Sequence, residues 1–240
     1  MTQTLILAHR GASGYAPENT IAAFKKAISL GADGIETDVQ LSKDNEIVLI
    51  HDESVDRTTD GRGYIKDLTL KEIKKLDAGR WFNDKFIGQR VPILEELLSL
   101  AKDKDILLNI ELKNNVISYK NIEEKVVNLI NRYNLKDRVI ISSFNHTSLL
   151  KIKHIDSDIR TGMLYMSRLS NPIAHAKAIN ADALHPSYKR LSRRLIDAAT
   201  QNKLMINTFT VNRKEHIKKL KEVGVTSIIT DYPDIHKSIT

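Results

Sequence analysis

The chain contains no cysteine. That excludes disulfides, thiolate metal ligands and a cysteine nucleophile, and it agrees with a reducing compartment. Any metal must therefore sit on carboxylates, histidines or carbonyl groups. Aromatic residues make up only 5% of the sequence, and no basic run is interleaved with them as a groove for single-stranded nucleic acid requires. No segment approaches the roughly 18 consecutive apolar residues of a membrane span. Met1-Thr2-Gln3-Thr4 leads straight into an apolar strand, without the basic and long apolar regions of an export signal. The expectation is a soluble, cytoplasmic protein with no membrane span and no nucleic-acid partner. Walker and dinucleotide fingerprints are missing, "GRG" at 61–63 is too short for a phosphate loop, and Ser142-Ser143 lacks the G-x-S-x-G frame of a serine hydrolase. The net charge of +7 is spread along helix faces such as "RKEHIKKLKEVG", where lysine solubilises.

What is present is an alternation of short apolar runs with amphipathic helical patterns. Strands are expected at Thr4–Ala8, Gly34–Val39, Asp105–Leu112, Arg138–Ser143, Ile159–Met163, Ala181–His185, Lys203–Phe209 and Thr226–Thr230. Helices are expected at Glu18–Leu30, Ile93–Lys102, Asn121–Tyr133, His146–Ile155, Pro172–Ile179, Ser192–Gln201 and Lys214–Val223. In the first helix Pro17 precedes the start, Ile21, Phe24 and Ile28 recur at helical spacing, and Gly31 supplies the stop. Eight strands separated by helices imply an α/β fold with a parallel sheet, and the number favours closure into a TIM (β/α)₈ barrel. One stretch breaks the rhythm. After Val39 come a turn at 42–45, a short strand Glu46–Ile50, and a polar run over 52–90 whose only helical piece is "LTLKEIKKLDAG". It holds too few apolar residues for a core of its own, so it reads as an insertion after strand two within a single domain, 1–240.

In such a barrel the chemistry sits at the carboxyl ends of the strands. Standing there are His9-Arg10, Glu36 and Asp38, His51-Asp52, Glu111 and Lys113, His185 and Asp231. Strand alternation sharpens the pattern. In "DILLNIELK" Leu107, Asn109, Glu111 and Lys113 share one face, and in "GIETDV" Glu36 and Asp38 share another. Glu36, Asp38 and Glu111 can then converge in one mouth, where they repel unless a cation or protons intervene. A hard divalent ion, Mg²⁺ or Ca²⁺, fits an all-oxygen set. Imidazole ordinarily titrates near neutrality, so His9 and His51 suit an acid–base pair, while Arg10 and Lys113 offer fixed positive charge for a phosphate. Gly11 and Gly14 are expected to let the backbone turn close to a ligand. His146, His154, His175, His216 and His236 read as surface residues on helices or near the tail.

"HRGASGYAPENTIAAF", "GADGIETDVQLSKDNEIVLIHDESVDRTTDGRG", "VPILEELL", "NIELK", "ISSFN", "TFTVN" and "GVTSIITDYPD" closely resemble the glycerophosphodiester phosphodiesterase family, in order and spacing, from residue 7 to about 234. The middle, about 145–200, matches more loosely. The resemblance implies a TIM barrel that uses a divalent metal, Mg²⁺ or Ca²⁺, to hydrolyse glycerophosphodiesters such as glycerophosphocholine to sn-glycerol 3-phosphate and an alcohol. It implies Glu36, Asp38 and Glu111 as metal ligands, His9 and His51 as the acid–base pair, with His51 protonating the leaving group, and Arg10 and Lys113 as phosphate contacts. The family often carries Trp-Thr-Val-Asn near strand seven; here Phe209-Thr210-Val211-Asn212 keeps an apolar substrate wall without the indole N–H. The nucleophile stays open between water and the glycerol 2-hydroxyl. Phospholipase D-like action on lysophospholipids and a non-catalytic phosphodiester-binding protein are the alternatives. Loss of a histidine or metal carboxylate would point to the latter, and all are present.

Overall fold

The structure is a computed structural model, and it describes residues 3–238. Nine strands are found among them: β1 (Leu5–Ala8), β2 (Gly34–Leu41), β3 (Ile47–Leu49), β4 (Leu107–Leu112), β5 (Val139–Ser143), β6 (Arg160–Tyr165), β7 (Ala183–Pro186), β8 (Met205–Thr208) and β9 (Ser227–Thr230). All but β3 are parallel neighbours in the order β1-β9-β8-β7-β6-β5-β4-β2, and pairing of β1 with β2 closes the ring. The expected eight-stranded barrel is therefore what forms. β2 runs two residues beyond its expected end because Val39, Gln40 and Leu41 pair antiparallel with β3, which extends the barrel wall upward.

The helices are α1 (Ile21–Ser29), α2 (Leu70–Ile73), α3 (Leu94–Ala101), α4 (Ile122–Arg132), α5 (His146–Ile155), α6 (Pro172–Ala178), α7 (Arg193–Gln201) and α8 (Lys214–Glu222). Most of the core lies between this helix layer and the outward strand faces, where Ile6, Ala8, Ile35, Val39, Leu108 and Ile110 pack against α1 and α3 residues such as Phe24, Leu94 and Leu97. Burying a side chain of this size contributes about 1.5–3 kcal/mol. α1 starts three residues later than its periodicity indicates. Thr20 is its cap, accepting a hydrogen bond from the Ala23 N–H, which releases Glu18 and Asn19 into the preceding turn. Both then serve the site described below.

The insertion does bury apolar residues, but not independently. Val55, Ile65, Ile73 and Ala78 cluster with Val48 and Ile50 from the β3 arm and with Val91, so the barrel supplies nearly half of this satellite core.

Inside the barrel, His185 corrects one expectation. It is not at the rim but fully buried in the lumen, over Gly162, where an added Cβ would lie 2.2 Å from its ring nitrogen. Asn207 Nδ2 donates to His185 Nε2 at 2.8 Å, and Asn207 Oδ1 in turn accepts from Ser227. Burial, with no anion to offset it, pushes the imidazole down to about 3. Protonation thus favours the unfolded chain, whose imidazole titrates near 6.5, so this contribution erodes stability as pH falls from 6.5 toward 3. At pH 5 the cost is about 2 kcal/mol. Urea unfolding at pH 7 and pH 5 should show the native chain losing that much more than His185→Gln; equal losses would mean that the ring is not held neutral.

Candidate active site

The mouth is built on three adjacent strands. In the register of β2 and β4, Glu36 stands opposite Asn109 and Asp38 opposite Glu111, so one row of inward side chains brings the carboxylates together. Glu36, Asp38 and Glu111 each offer an oxygen within 4.8 Å of the others. All three are buried. Burial first, and then the charges of Asp38 and Glu111, hold Glu36 well above the usual carboxylate range. Glu111 is pushed up to about 7 by burial and by Asp38, against the pull of Lys113. Asp38 goes the other way. Burial alone would raise it, but Arg10, His51 and Lys113, with a 2.9 Å hydrogen bond from Asn19 Nδ2, hold it low. Three oxygen donors that oppose one another's ionisation in a buried mouth are what a hard divalent cation relieves, so the donor set fits such an ion.

Cations frame the triad. Arg10 has left-handed backbone, φ 54°, and its N–H donates to Glu36 Oε2 at 2.8 Å while its side chain reaches Glu18 at 2.8 Å and lies 3.4 Å from Asp38. Its Nε is buried without a hydrogen-bond partner among the described residues. Lys113 Nζ donates to Glu111 at 3.0 Å and lies 3.2 Å from His51 Nε2. Burial opposes its charge, but Glu111 and Asp38 outweigh that and raise its pKa.

Each histidine is backed by a carboxylate, and the two backings differ. His9 Nδ1 meets Asp231 at 2.6 Å; Asp231 is otherwise held by neutral groups, Ser13 Oγ at 3.0 Å and Asn212 Nδ2 at 2.5 Å. His51 Nδ1 meets Asp52 at 2.7 Å, and Asp52 is also gripped by Arg57 at 2.6 and 3.0 Å. Burial, together with the charges of Arg10 and Lys113, lowers the His51 pKa despite the opposing pull of Asp38 and Asp52. Arg57 also makes two 2.8 Å bonds to Glu18. The insertion therefore ties the Arg10 side of the mouth to the His51 side through a single guanidinium.

Apart from His185, the residues singled out from the sequence as site groups fall at this end of the barrel. Phe209 stands apart from the charges, with its ring edge-on to Phe144, centroids 6.2 Å apart, on the β5–β8 side. Gly11 and Gly14 differ from expectation: a Cβ on Gly11 would meet Ala23 at 2.7 Å and one on Gly14 would meet the Tyr232 ring at 2.2 Å. Their lack of a side chain makes room for the protein itself, although Gly11, at φ 79°, does carry the sharp turn. Glu18, Asn19, Arg57 and Asn212 are support residues that sequence reasoning missed. Of the remaining histidines, His154 and His175 are exposed, His146 and His216 are half-buried, and the side chain of His236 lies outside the described residues.

Comparison with known proteins shows the family. The model of the glycerophosphoryl diester phosphodiesterase family matches residues 9–235. A glycerophosphodiester phosphodiesterase of Caldanaerobacter subterraneus subsp. tengcongensis is 50% identical over 232 residues, 97% of this chain and 96% of the relative. Among solved structures, a phosphodiesterase of Oleispira antarctica in complex with the product sn-glycerol-3-phosphate superposes with a TM-score of 0.88 at 30% identity, covering 99% of this chain and 97% of that one. A glycerophosphodiester phosphodiesterase of Agrobacterium tumefaciens gives 0.86 at 30% identity, covering 97% and 98%. With the family match spanning residues 9–235 and a relative 50% identical over 97% of the chain, the chain belongs to the glycerophosphoryl diester phosphodiesterase family, and its activity is that of a glycerophosphodiester phosphodiesterase.

Proposed function

We propose that the enzyme releases sn-glycerol 3-phosphate from small glycerophosphodiesters, glycerophosphocholine among them, with Mg²⁺ or Ca²⁺ held by Glu36, Asp38 and Glu111. The buried carboxylate triad flanked by two histidine–carboxylate pairs is the observation that carries this reading. The product bound in the Oleispira antarctica neighbour supports the glycerol 3-phosphate half. When bound, the divalent ion would offset the negative charge of the phosphodiester and of the triad.

The chain's own groups divide the remaining work. Arg10 and Lys113 fix the phosphoryl oxygens and offset the charge that develops on them. His9 accepts the proton of the attacking hydroxyl at its free Nε2, because Asp231 has no cation on it and can stabilise the imidazolium fully. His51 gives a proton to the leaving alkoxide as the bond from phosphorus to that oxygen breaks. Its carboxylate is already committed to Arg57 and its pKa is lowered, so the protonated ring yields its proton readily. Phe209 and Phe144 supply an apolar wall for the alcohol.

Purified protein should release glycerol 3-phosphate from glycerophosphocholine with Mg²⁺ or Ca²⁺ and stop after EDTA, resuming when the ion is returned. Release that persists in EDTA would remove the ion from the reading. Cleavage of a lysophospholipid with no action on glycerophosphocholine would move the substrate class to lipids.

A further inference from the structure

Between the β6–α6 and β7–α7 connections, on the same face of the barrel as the mouth, lies an open groove of about 640 Å³. Arg168, Lys189, Arg190 and Arg194 line it, and no aspartate or glutamate does. None of these four cations forms an ion pair among the described residues; the nearby Arg193–Asp197 pair lies outside the lining. Arg190 is oriented by a 3.0 Å bond from Nε to the Met166 carbonyl, which leaves its terminal nitrogens free.

Solubilising lysines and arginines are normally spread out or paired. Four unpaired cations converging on one concavity repel each other, a cost that an anion repays. The groove also has a floor. Tyr165, only 5% exposed, lines it, and its hydroxyl is buried with no hydrogen-bond partner. A buried hydroxyl without a partner is uncommon, and the residue that carries it lines the groove. Burial pushes the Tyr165 pKa up to about 12, so the group is a neutral donor at any physiological pH. The start of α7 faces the same space, with Ser192 as its cap and no acidic residue in its first turn. Guanidinium forks, an ammonium and a phenolic donor together match the several oxygens of a phosphate better than a single-point anion.

We infer that this groove binds a phosphate group, separately from the catalytic mouth, with Arg168, Lys189, Arg190 and Arg194 as its cationic walls and Tyr165 as a floor donor. No residue of the groove belongs to the triad or to the histidine pairs, so the inference stands whether or not the catalytic roles above hold. The connection is close nonetheless. Tyr188 N–H, next to Lys189, donates to the Phe209 carbonyl at 3.0 Å, so the groove is backed by the chain segment that forms the mouth's apolar wall.

Calorimetric titration of the Mg²⁺-loaded enzyme with inorganic phosphate tests this, using native chain, Arg168→Gln/Arg194→Gln and Tyr165→Phe. Two binding events are expected in the native chain. The double variant should weaken one of them at least tenfold, and Tyr165→Phe should weaken the same one several-fold, while glycerophosphocholine turnover stays within twofold. A single event, unchanged in both variants, would overturn the inference. Sedimentation with vesicles of phosphatidylcholine alone or with phosphatidate then distinguishes sources. Capture by phosphatidate vesicles that the double variant loses would identify a lipid headgroup, and phosphate binding without capture would identify a soluble phosphate.

Discussion

Replacing Glu36 with glutamine is expected to lower turnover of glycerophosphocholine by at least about 10³-fold while leaving the ion-free protein as stable as before, or more so. The two halves of this expectation rest on the same geometry. Burial and the neighbouring Asp38 and Glu111 hold Glu36 toward its protonated form when no ion is present, and glutamine is close in shape to a protonated glutamate. Its carbonyl can still accept the Arg10 N–H that Glu36 accepts at 2.8 Å. What glutamine cannot do is ionise toward a divalent cation, so calorimetry should find Mg²⁺ or Ca²⁺ affinity reduced at least tenfold. A sharp fall in melting temperature would make Glu36 a structural residue. Unchanged ion affinity would place the ion elsewhere.

Why the triad was legible before the structure, and its supports were not, follows from the range of the signals involved. Glu36, Asp38 and Glu111 lie on strands whose alternation assigns a face to each residue, and parallel pairing of β2 with β4 needs only that assignment to bring them together. Ends of barrel strands are also where chemistry concentrates, so His9, Arg10, His51 and Lys113 could be placed near one another from position alone. The bonds that orient them carry no periodic trace. Arg57 meets Glu18 across 39 residues, and His9 meets Asp231 across 222, through turns whose paths no spacing encodes. Asn19 is a further case: helical periodicity absorbs it, yet Thr20 caps α1 and leaves Asn19 at φ 54°, with its amide on Asp38 and its carbonyl taking the Thr37 hydroxyl at 2.7 Å. His185 misled for the opposite reason. Its place near a strand end resembles that of His9, and only the packing of the lumen, with Gly162 across from it, separates a buried neutral ring from a rim residue.

For His51→Ala the expected outcome depends on the leaving group, and that dependence is the informative part. A proton delivered in the transition state matters in proportion to the basicity of the departing oxygen. Choline leaves as a strongly basic alkoxide, whereas a nitrophenolate departs without help. Loss of His51 should therefore slow a choline ester by about 10³-fold and a nitrophenyl ester by less than about tenfold. His9→Ala should slow both alike, since activation of the nucleophile does not depend on what departs. The different backing of the two rings makes this division physical: Asp231 offers its charge to His9 alone, while Asp52 shares its charge between His51 and Arg57. Equal slowing of the two esters by His51→Ala would exchange the roles, with His51 as the base and Lys113, 3.2 Å from its Nε2, holding the ring in its neutral form. Arg57→Gln separates the same alternatives from a distance. Freeing Asp52 from its cation should raise the His51 pKa and make it a weaker acid, so the choline ester should again lose more than the nitrophenyl ester.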